Sequence, residues 1–265
     1  MDCTRCADAG YLVEAIGEHA VARPCSCRVP CAACGDKGAI VEVVPRRAPV
    51  CRPCSCRALR RRVAQFNEAR VPAKHHRATL DSLDESRGGN LADLKIHFGR
   101  WRQMYIPGMR GVLLWGHPGG GKTHLACSLV RHFTLERALT AAFVDFFQLV
   151  EEIRAGFDDG RSMDDVIAPG MRPDILVIDE LGKVRPSDFQ RSVLDQLVCR
   201  RYNTSKTLIV TANFEVGTPT TPSGLPRLDD PGGIGERIYS RLCEMCDFRE
   251  VIVDDYRKGY LSIRS

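Results

Sequence analysis

Gly111-Val112-Leu113-Leu114-Trp115-Gly116-His117-Pro118-Gly119-Gly120-Gly121-Lys122-Thr123 decides the fold of this chain. The first five residues are a short apolar run that reads as a buried strand, and Gly116 to Thr123 fit the pattern G-x4-G-K-[ST]. In that pattern glycines let backbone N–H groups close on phosphate oxygens. Lys122 reaches the β and γ oxygens, and the Thr123 hydroxyl holds Mg²⁺ at a helix N-terminus. Thr123 to about Phe133 then carries Leu125, Ala126, Leu129 and Val130 at helical spacing, so strand, loop and helix follow in the required order. The segment from Gly116 through His124 is therefore the candidate site for a nucleoside triphosphate.

Asp174-Ile175-Leu176-Val177-Ile178-Asp179-Glu180 lies about 55 residues downstream. Four consecutive aliphatics ending in two acids read as a buried parallel strand that delivers carboxylates at its C-terminal end, the edge where open α/β sheets bind ligands. Asp179 is placed to hold Mg²⁺, directly or through water, and Glu180 to orient and deprotonate an attacking water. Thr207-Leu208-Ile209-Val210-Thr211-Ala212-Asn213 is a further buried strand whose terminal amide, Asn213, can position that water. Gly235 to Leu242 puts Arg237 and Arg241 at i and i+4, on one face of a predicted helix. On spacing alone these arginines are surface charges.

The coarse reading is α/β. Parallel strands are expected near 111–115, 141–145, 174–179, 207–212 and 248–253, with helices near 91–105, 145–157 and 187–202 between or before them. Glu215 to Gly233, rich in proline, threonine and glycine, is expected as a loop.

Several motifs together carry a family resemblance. They are the phosphate loop running into Thr123-His124-Leu125-Ala126, the Ile178-Asp179-Glu180 strand, the Thr211-Ala212-Asn213 strand end, Gly235-Glu236-Arg237-x3-Arg241 and the terminal Asp254-Asp255-Tyr256-Arg257. The chain resembles the DnaC/IstB branch of the AAA+ ATPases from about residue 66, in a lead-in through Phe66-Asn67-Glu68-Ala69-Arg70-Val71-Pro72 and Ala78-Thr79-Leu80-Asp81, to about residue 261. The resemblance implies an AAA+ P-loop core with a parallel sheet and flanking helices. Only 52 residues follow Asn213, too few for a helical lid domain, and that absence also characterises this branch.

It further implies a nucleotide site shared between subunits of a homo-oligomer. Lys122, Thr123, Asp179, Glu180 and Asn213 match the positions supplied by one subunit. Arg241 matches the arginine finger that reaches the neighbour's γ-phosphate, with Arg237 a second candidate. An arginine supplied from outside makes hydrolysis conditional on assembly. In this family the helix after the second strand lines a channel for single-stranded DNA, which nominates Arg154 and Phe157, one cation and one aromatic at i and i+3. On spacing alone, Phe157 in the core and Arg154 in solvent fits as well.

The other informative region is the N-terminus, where nine of the 13 cysteines fall within the first 56 residues. They form a duplicated module. Cys3-x2-Cys6 with Cys25-x-Cys27 parallels Cys31-x2-Cys34 with Cys54-x-Cys56, and Gly10-Tyr11-Leu12-Val13-Glu14 parallels Gly38-Ala39-Ile40-Val41-Glu42. Two close cysteine pairs per module are what a tetrahedral, four-thiolate Zn²⁺ site needs, so two structural zinc ions are expected, on Cys3, Cys6, Cys25 and Cys27 and on Cys31, Cys34, Cys54 and Cys56. Cys51 is the odd residue, aligning with Ala22, and an exchange of ligands among Cys51, Cys54 and Cys56 stays open, as does an iron–sulfur cluster. Disulfides would require an oxidising compartment. No charged-then-apolar leader opens the chain and no apolar run is long enough to cross a membrane, so a cytoplasmic setting is expected. Cys127 and Cys199 are expected in the core, and Cys243-x2-Cys246 lacks a second pair.

Charge says less than it promises. The formal net charge is +5, and two four-thiolate zinc sites contribute about −4 together, leaving about +1. Local charge is more telling: Arg57, Arg60, Arg61, Arg62, Arg70, Lys74 and Arg77 face a single acid, Glu68, over 21 residues. This segment can follow a phosphate backbone or simply connect two domains. The expected organisation is a tandem zinc region at 1–57, a basic helix and linker at 58–77 and the ATPase domain at 78–265.

Two classes of function follow. One is an ATP-dependent loader that binds single-stranded DNA and a replicative helicase, with a transposition helper acting on a transposase as its variant. The other is a zinc-dependent DNA-binding or scaffolding protein that holds ATP without hydrolysing it. A pure binding module has no need of Glu180, Asn213 and Arg241 together.

Overall fold

The computed structural model describes residues 3–43, 47–181, 186–216, 227–228 and 233–253. The motif at Asp254–Arg257 and most of the expected 215–233 loop lie outside them.

Five strands form one parallel sheet in the order β6-β7-β8-β5-β9. They are β5 (Gly111–Trp115), β6 (Ala141–Asp145), β7 (Ile175–Leu181), β8 (Thr207–Ala212) and β9 (Cys246–Glu250). Each of β5, β7 and β8 is buried almost throughout, as continuous aliphatic runs in a doubly covered sheet should be. Within β5 the side chains alternate between two cores: Val112 and Leu114 join one, Leu113 and Trp115 the other. The first core is closed by α1 (Arg57–Glu68), α2 (Leu91–Met104) and α3 (Lys122–Arg131); the second by α4 (Phe146–Asp158), α5 (Met163–Met171), α6 (Asp188–Asn203) and α7 (Glu236–Met245). The architecture is mixed α/β, with cysteine clusters at the N-terminus. The last strand begins two residues earlier than expected, because Cys246 already pairs with Gly111. Helix α5, capped by a reciprocal Ser162–Asp165 box, has no counterpart in the sequence reading.

Two small antiparallel hairpins precede the core: β1 (Tyr11–Ile16) with β2 (His19–Pro24), and β3 (Ala39–Glu42) with β4 (Val50–Pro53). Their registers repeat. Val13 faces Ala22 in the first and Val41 faces Cys51 in the second, as the duplicated sequence requires.

The segment after them is packed on both sides. In α1, Val63 and Phe66 enter the core under the sheet, Arg62 donates to the Leu135 carbonyl (3.1 Å) and Gln65 to that of Ala138 (3.0 Å). These carbonyls lie at the end of α3, where a π-turn at His132–Glu136 extends the phosphate-loop helix. Phe143 N–H, on β6, donates to the Ala69 carbonyl (2.8 Å).

Candidate nucleotide site and metal centres

The phosphate loop joins β5 to α3. Two glycines in it are required by the backbone. A Cβ on Gly116 would stand 2.6 Å from the Val251 carbonyl, and Gly121 caps α3 at φ +89°. Lys122 is buried, and its Nζ donates to the carbonyls of Gly116 (2.8 Å) and His117 (2.7 Å), across the loop that would receive phosphates. Thr123 Oγ1 donates to both carboxylate oxygens of Asp179, at 3.0 and 3.2 Å. The phosphate loop and the acidic strand end, 56 residues apart, are thus in direct contact.

Thr211 completes this centre. Its hydroxyl donates to Asp179 Oδ1 (2.5 Å) and accepts the Glu180 N–H (3.0 Å). It can do both because β7 bulges here: the ladder runs Ile178 to Val210, then Leu181 to Ala212, so Asp179 and Glu180 together oppose Thr211. The bulge holds Glu180 at φ +63°, a strained conformation for a non-glycine residue, and re-aims it relative to Asp179. Asn213 N–H donates to the Leu181 carbonyl (2.7 Å), carrying the ladder past the bulge. Burial pushes the Asp179 carboxyl up to about 6, against the pull of the Thr211 and Thr123 hydrogen bonds, and the charges of Glu180 and Asp145 push the same way. A buried, crowded carboxylate beside a threonine hydroxyl is a fitting donor set for Mg²⁺.

His124 faces elsewhere. Its Nε2 lies 3.0 Å from Ser82 Oγ and 3.2 Å from the Thr79 carbonyl, fastening the lead-in segment to α3. Burial lowers the ring's pKa.

Arg237 and Arg241 do share a face of α7, and both turn to α6. Arg241 Nη1 lies 3.4 Å from Asp195 Oδ1 and its guanidinium sits over the Tyr202 ring at 5.9 Å; Arg237 Nε lies 3.6 Å from the same oxygen. Arg241 is the more enclosed, 24% exposed against 70% for Arg237. Cys199, expected in the core, is partly exposed on this face, with its thiol 3.1 Å from Asp195 Oδ1.

Arg154 and Phe157 also share a face and converge on a third residue, Phe189 of α6. Arg154 lies over that ring at 5.5 Å while pairing with Glu151 (2.7 Å), and Phe157 meets it edge-on at 6.1 Å. Phe157 stays 48% exposed, so the core placement that its spacing allows does not hold. Thr211, Asp195, Tyr202 and Phe189 were not singled out in the sequence. Only Thr211 left a signal there, a hydroxyl inside an apolar strand that must find a buried partner.

In each hairpin module four thiols converge, with all Sγ atoms within 4.8 Å of one another: Cys3, Cys6, Cys25 and Cys27, and Cys31, Cys34, Cys54 and Cys56. The Cys3–Cys25 and Cys6–Cys27 separations are 3.9 and 3.4 Å; those of Cys31–Cys54 and Cys34–Cys56 are 3.6 and 3.3 Å. A tetrahedron with Zn–S bonds of about 2.3 Å has S···S edges of about 3.8 Å, so both sets fit zinc with little adjustment. Crowding splits their titration. Hydrogen bonds from the Cys6 backbone and the Cys27 thiol bring Cys3 down to about 7. At Cys34 burial is outweighed by hydrogen bonds with Cys56 and the Gly38 backbone, leaving about 6, while its partner Cys56 is pushed up to about 12. A divalent cation removes that conflict. Cys51 is exposed on β4 and lies outside both sets of converging thiols.

Residues 50–260 match the family described as IstB-like ATP binding protein. The chain belongs to this IstB-like family. It is 25% identical over 180 residues to the replicative helicase loader DnaC of Escherichia coli, a stretch covering 67% of each protein. An ATP-binding protein of the insertion sequence IS5376 from Geobacillus stearothermophilus is 27% identical over 146 residues, 54% of this chain and 55% of that protein. The match thus spans about half the length of that relative. The crystal structure of the DnaC helicase loader superposes with a TM-score of 0.58 at 23% identity, covering 68% of this chain and 99% of that one. The chain is thus an IstB-like ATP-binding protein with the DnaC-like AAA+ fold, and no helix among the described residues is long and apolar enough to cross a membrane.

Proposed function

We propose that this IstB-like protein is a helicase loader that assembles on single-stranded DNA, grips a replicative helicase and hydrolyses ATP at sites shared between neighbouring copies. The observation that carries the ATPase reading is the contact of Thr123 with Asp179, which unites the two halves of a metal-nucleotide site beside the bulged Glu180.

Backbone N–H groups of Gly119 to Thr123 receive the phosphates, and Lys122 exchanges its carbonyl partners for the β and γ oxygens. Thr123 and Asp179 would hold Mg²⁺, which would supply neutralisation of the phosphate charge. Glu180 takes the proton of the attacking water and Asn213 orients it. Arg241, with Arg237 beside it, leaves Asp195 for the γ-phosphate of the next subunit. Its contacts within its own chain, all on α6, support an action in trans. DNA contacts fall to Arg154 and Phe157, whose exposed aromatic and cation on a common face suit stacking and phosphate neutralisation.

Glu180→Gln tests the chemistry. It is expected to bind ATP as the parent does while turnover falls by about 100-fold or more. Unchanged turnover overturns the Glu180 role, and absent turnover in the parent with DNA and helicase present favours a scaffold that holds ATP.

A second reading is favoured by one observation, the identity to an insertion-sequence ATP-binding protein. In it the same core presents target DNA to a transposase. Stimulation of ATP turnover by a transposase and not by a helicase decides for it.

A further inference from the structure

The two hairpins descend from one repeat, and they are used differently. In the first, the chain itself closes the outer edge of β2. Ala20 N–H donates to the Val71 carbonyl (2.7 Å) and Ala73 N–H to that of Glu18 (2.9 Å). Next along the strand, the Asn67 amide, presented by α1, spans Ala22: Oδ1 accepts its N–H (2.7 Å) and Nδ2 donates to its carbonyl (3.1 Å). Ala20 and Ala22 are buried, and Tyr11 and Val13 on the adjoining strand pack against the same core.

In the second hairpin no described residue covers the matching face. Cys51 stands opposite Val41 as Ala22 stands opposite Val13, so its N–H and carbonyl point outward, and no hydrogen bond among the described residues reaches them. Val41 and Val43 are 62% and 78% exposed. Directly after the last metal-site cysteine, Cys56, helix α1 begins with Arg57, Arg60 and Arg61 exposed and without an acidic partner among the described residues, whereas Arg28 and Arg52 are paired with Asp36 and Glu42.

An edge with one outward N–H and carbonyl and two bare valines, followed along the chain by a helix start whose three arginines have no acidic partner among the described residues, states what it fits. The first copy shows the cover for such an edge: an amphipathic helix that brings Val63 and Phe66 to the hairpin's apolar face and an amide to its backbone. The arginines add a charge requirement. Phosphates alone would satisfy the arginines and leave the valines and the edge amide unmatched, so the pattern favours protein over nucleic acid.

We infer that the second zinc hairpin is a docking surface for an acidic amphipathic helix of a partner protein, seated across β4 with an amide side chain bridging Cys51 and carboxylates on Arg57, Arg60 and Arg61. In the loader reading, on which the choice of partner rests, that protein is the replicative helicase. The first hairpin is closed by its own chain and serves as a wedge against the ATPase core.

The test is binding of the full, zinc-loaded chain to the replicative helicase of the same cell, by interferometry at two salt concentrations. Val41→Glu with Val43→Glu is expected to weaken binding about 30-fold or more while two zinc ions per chain are retained. Arg57→Glu with Arg60→Glu and Arg61→Glu leaves the hairpin untouched and decides the matter if the valine pair loses its metal. It is expected to weaken binding about tenfold at low salt and less at high salt. Wild-type binding by both variants overturns the surface and leaves the loader reading intact. A wild-type chain that binds no helicase overturns the loader reading and the occupant with it. Loss of self-association or of single-stranded DNA binding in the valine pair, with helicase binding kept, reassigns the face and overturns the inference.

Discussion

The first cysteine hairpin is part of the core and the second stands off it, although cysteine spacing, strand register and the convergence of four thiols are shared. The difference lies in a few outward positions. Ala20 and Ala22 are small enough for α1 to approach and for Asn67 to reach the β2 backbone, whereas the aligned positions in the second copy are Pro49 and Cys51. Proline has no N–H to match the Ala20 donor, and a proline on an edge discourages casual pairing. A repeated sequence therefore dictates the same local structure twice, while the exposed edge decides whether the copy becomes core or surface.

The asymmetry reaches the nucleotide site. Helix α1 lies against the first hairpin at one face and caps the carbonyls ending the phosphate-loop helix at the other, through Arg62 and Gln65. Damage to the first hairpin should therefore be felt at Lys122 and Thr123, and damage to the second should not.

Cysteine substitutions break the comparison most sharply. Cys6→Ser is expected to cost one zinc ion and lower the thermal midpoint by on the order of 10 °C, with a parallel loss of ATP turnover, because the hairpin covering Phe66 and Val63 loses its metal. Cys34→Ser is expected to cost one zinc ion as well and to move the midpoint by no more than about 2 °C. Scanning calorimetry with zinc assay on both variants checks this, and equal losses would show that both hairpins are structural wedges. Asn67→Ala has a smaller effect, about 2 kcal/mol in denaturant unfolding, since Ala22 keeps a buried N–H and carbonyl without partners. Cys51→Ala should have the least: two zinc ions per chain and an unchanged midpoint, as measured by the same zinc assay. A variant holding one zinc would return Cys51 to the ligand set.

The sequence was most legible where one physical requirement dominates. Buried parallel strands demand uninterrupted aliphatics, and four of the five sheet strands stand within two residues of their expected bounds. The phosphate loop and the cysteine pairs were legible because metal and phosphate chemistry permits few alternatives to glycine, lysine and thiolate. What stayed hidden depends on three-dimensional coincidence. Nothing local marks the bulge that turns Glu180 to a positive φ, or the placing of Asp195 under two arginines from another helix. The arginine-rich stretch after residue 57 read either as a phosphate-following helix or as a connector, because its charges are conspicuous and its apolar residues, Val63 and Phe66 among them, are few. They are the ones that pack.

Completion of each active site by a neighbouring subunit is tested most directly by mixing two inactive variants. Arg241→Ala and Lys122→Ala chains, each nearly inert alone, would be combined on single-stranded DNA and ATP turnover followed against mixing ratio. Recovery is expected to peak near equal proportions, because some mixed interfaces join an intact Lys122 to an intact Arg241. Turnover no greater than the sum of the separate variants at every ratio would contradict it.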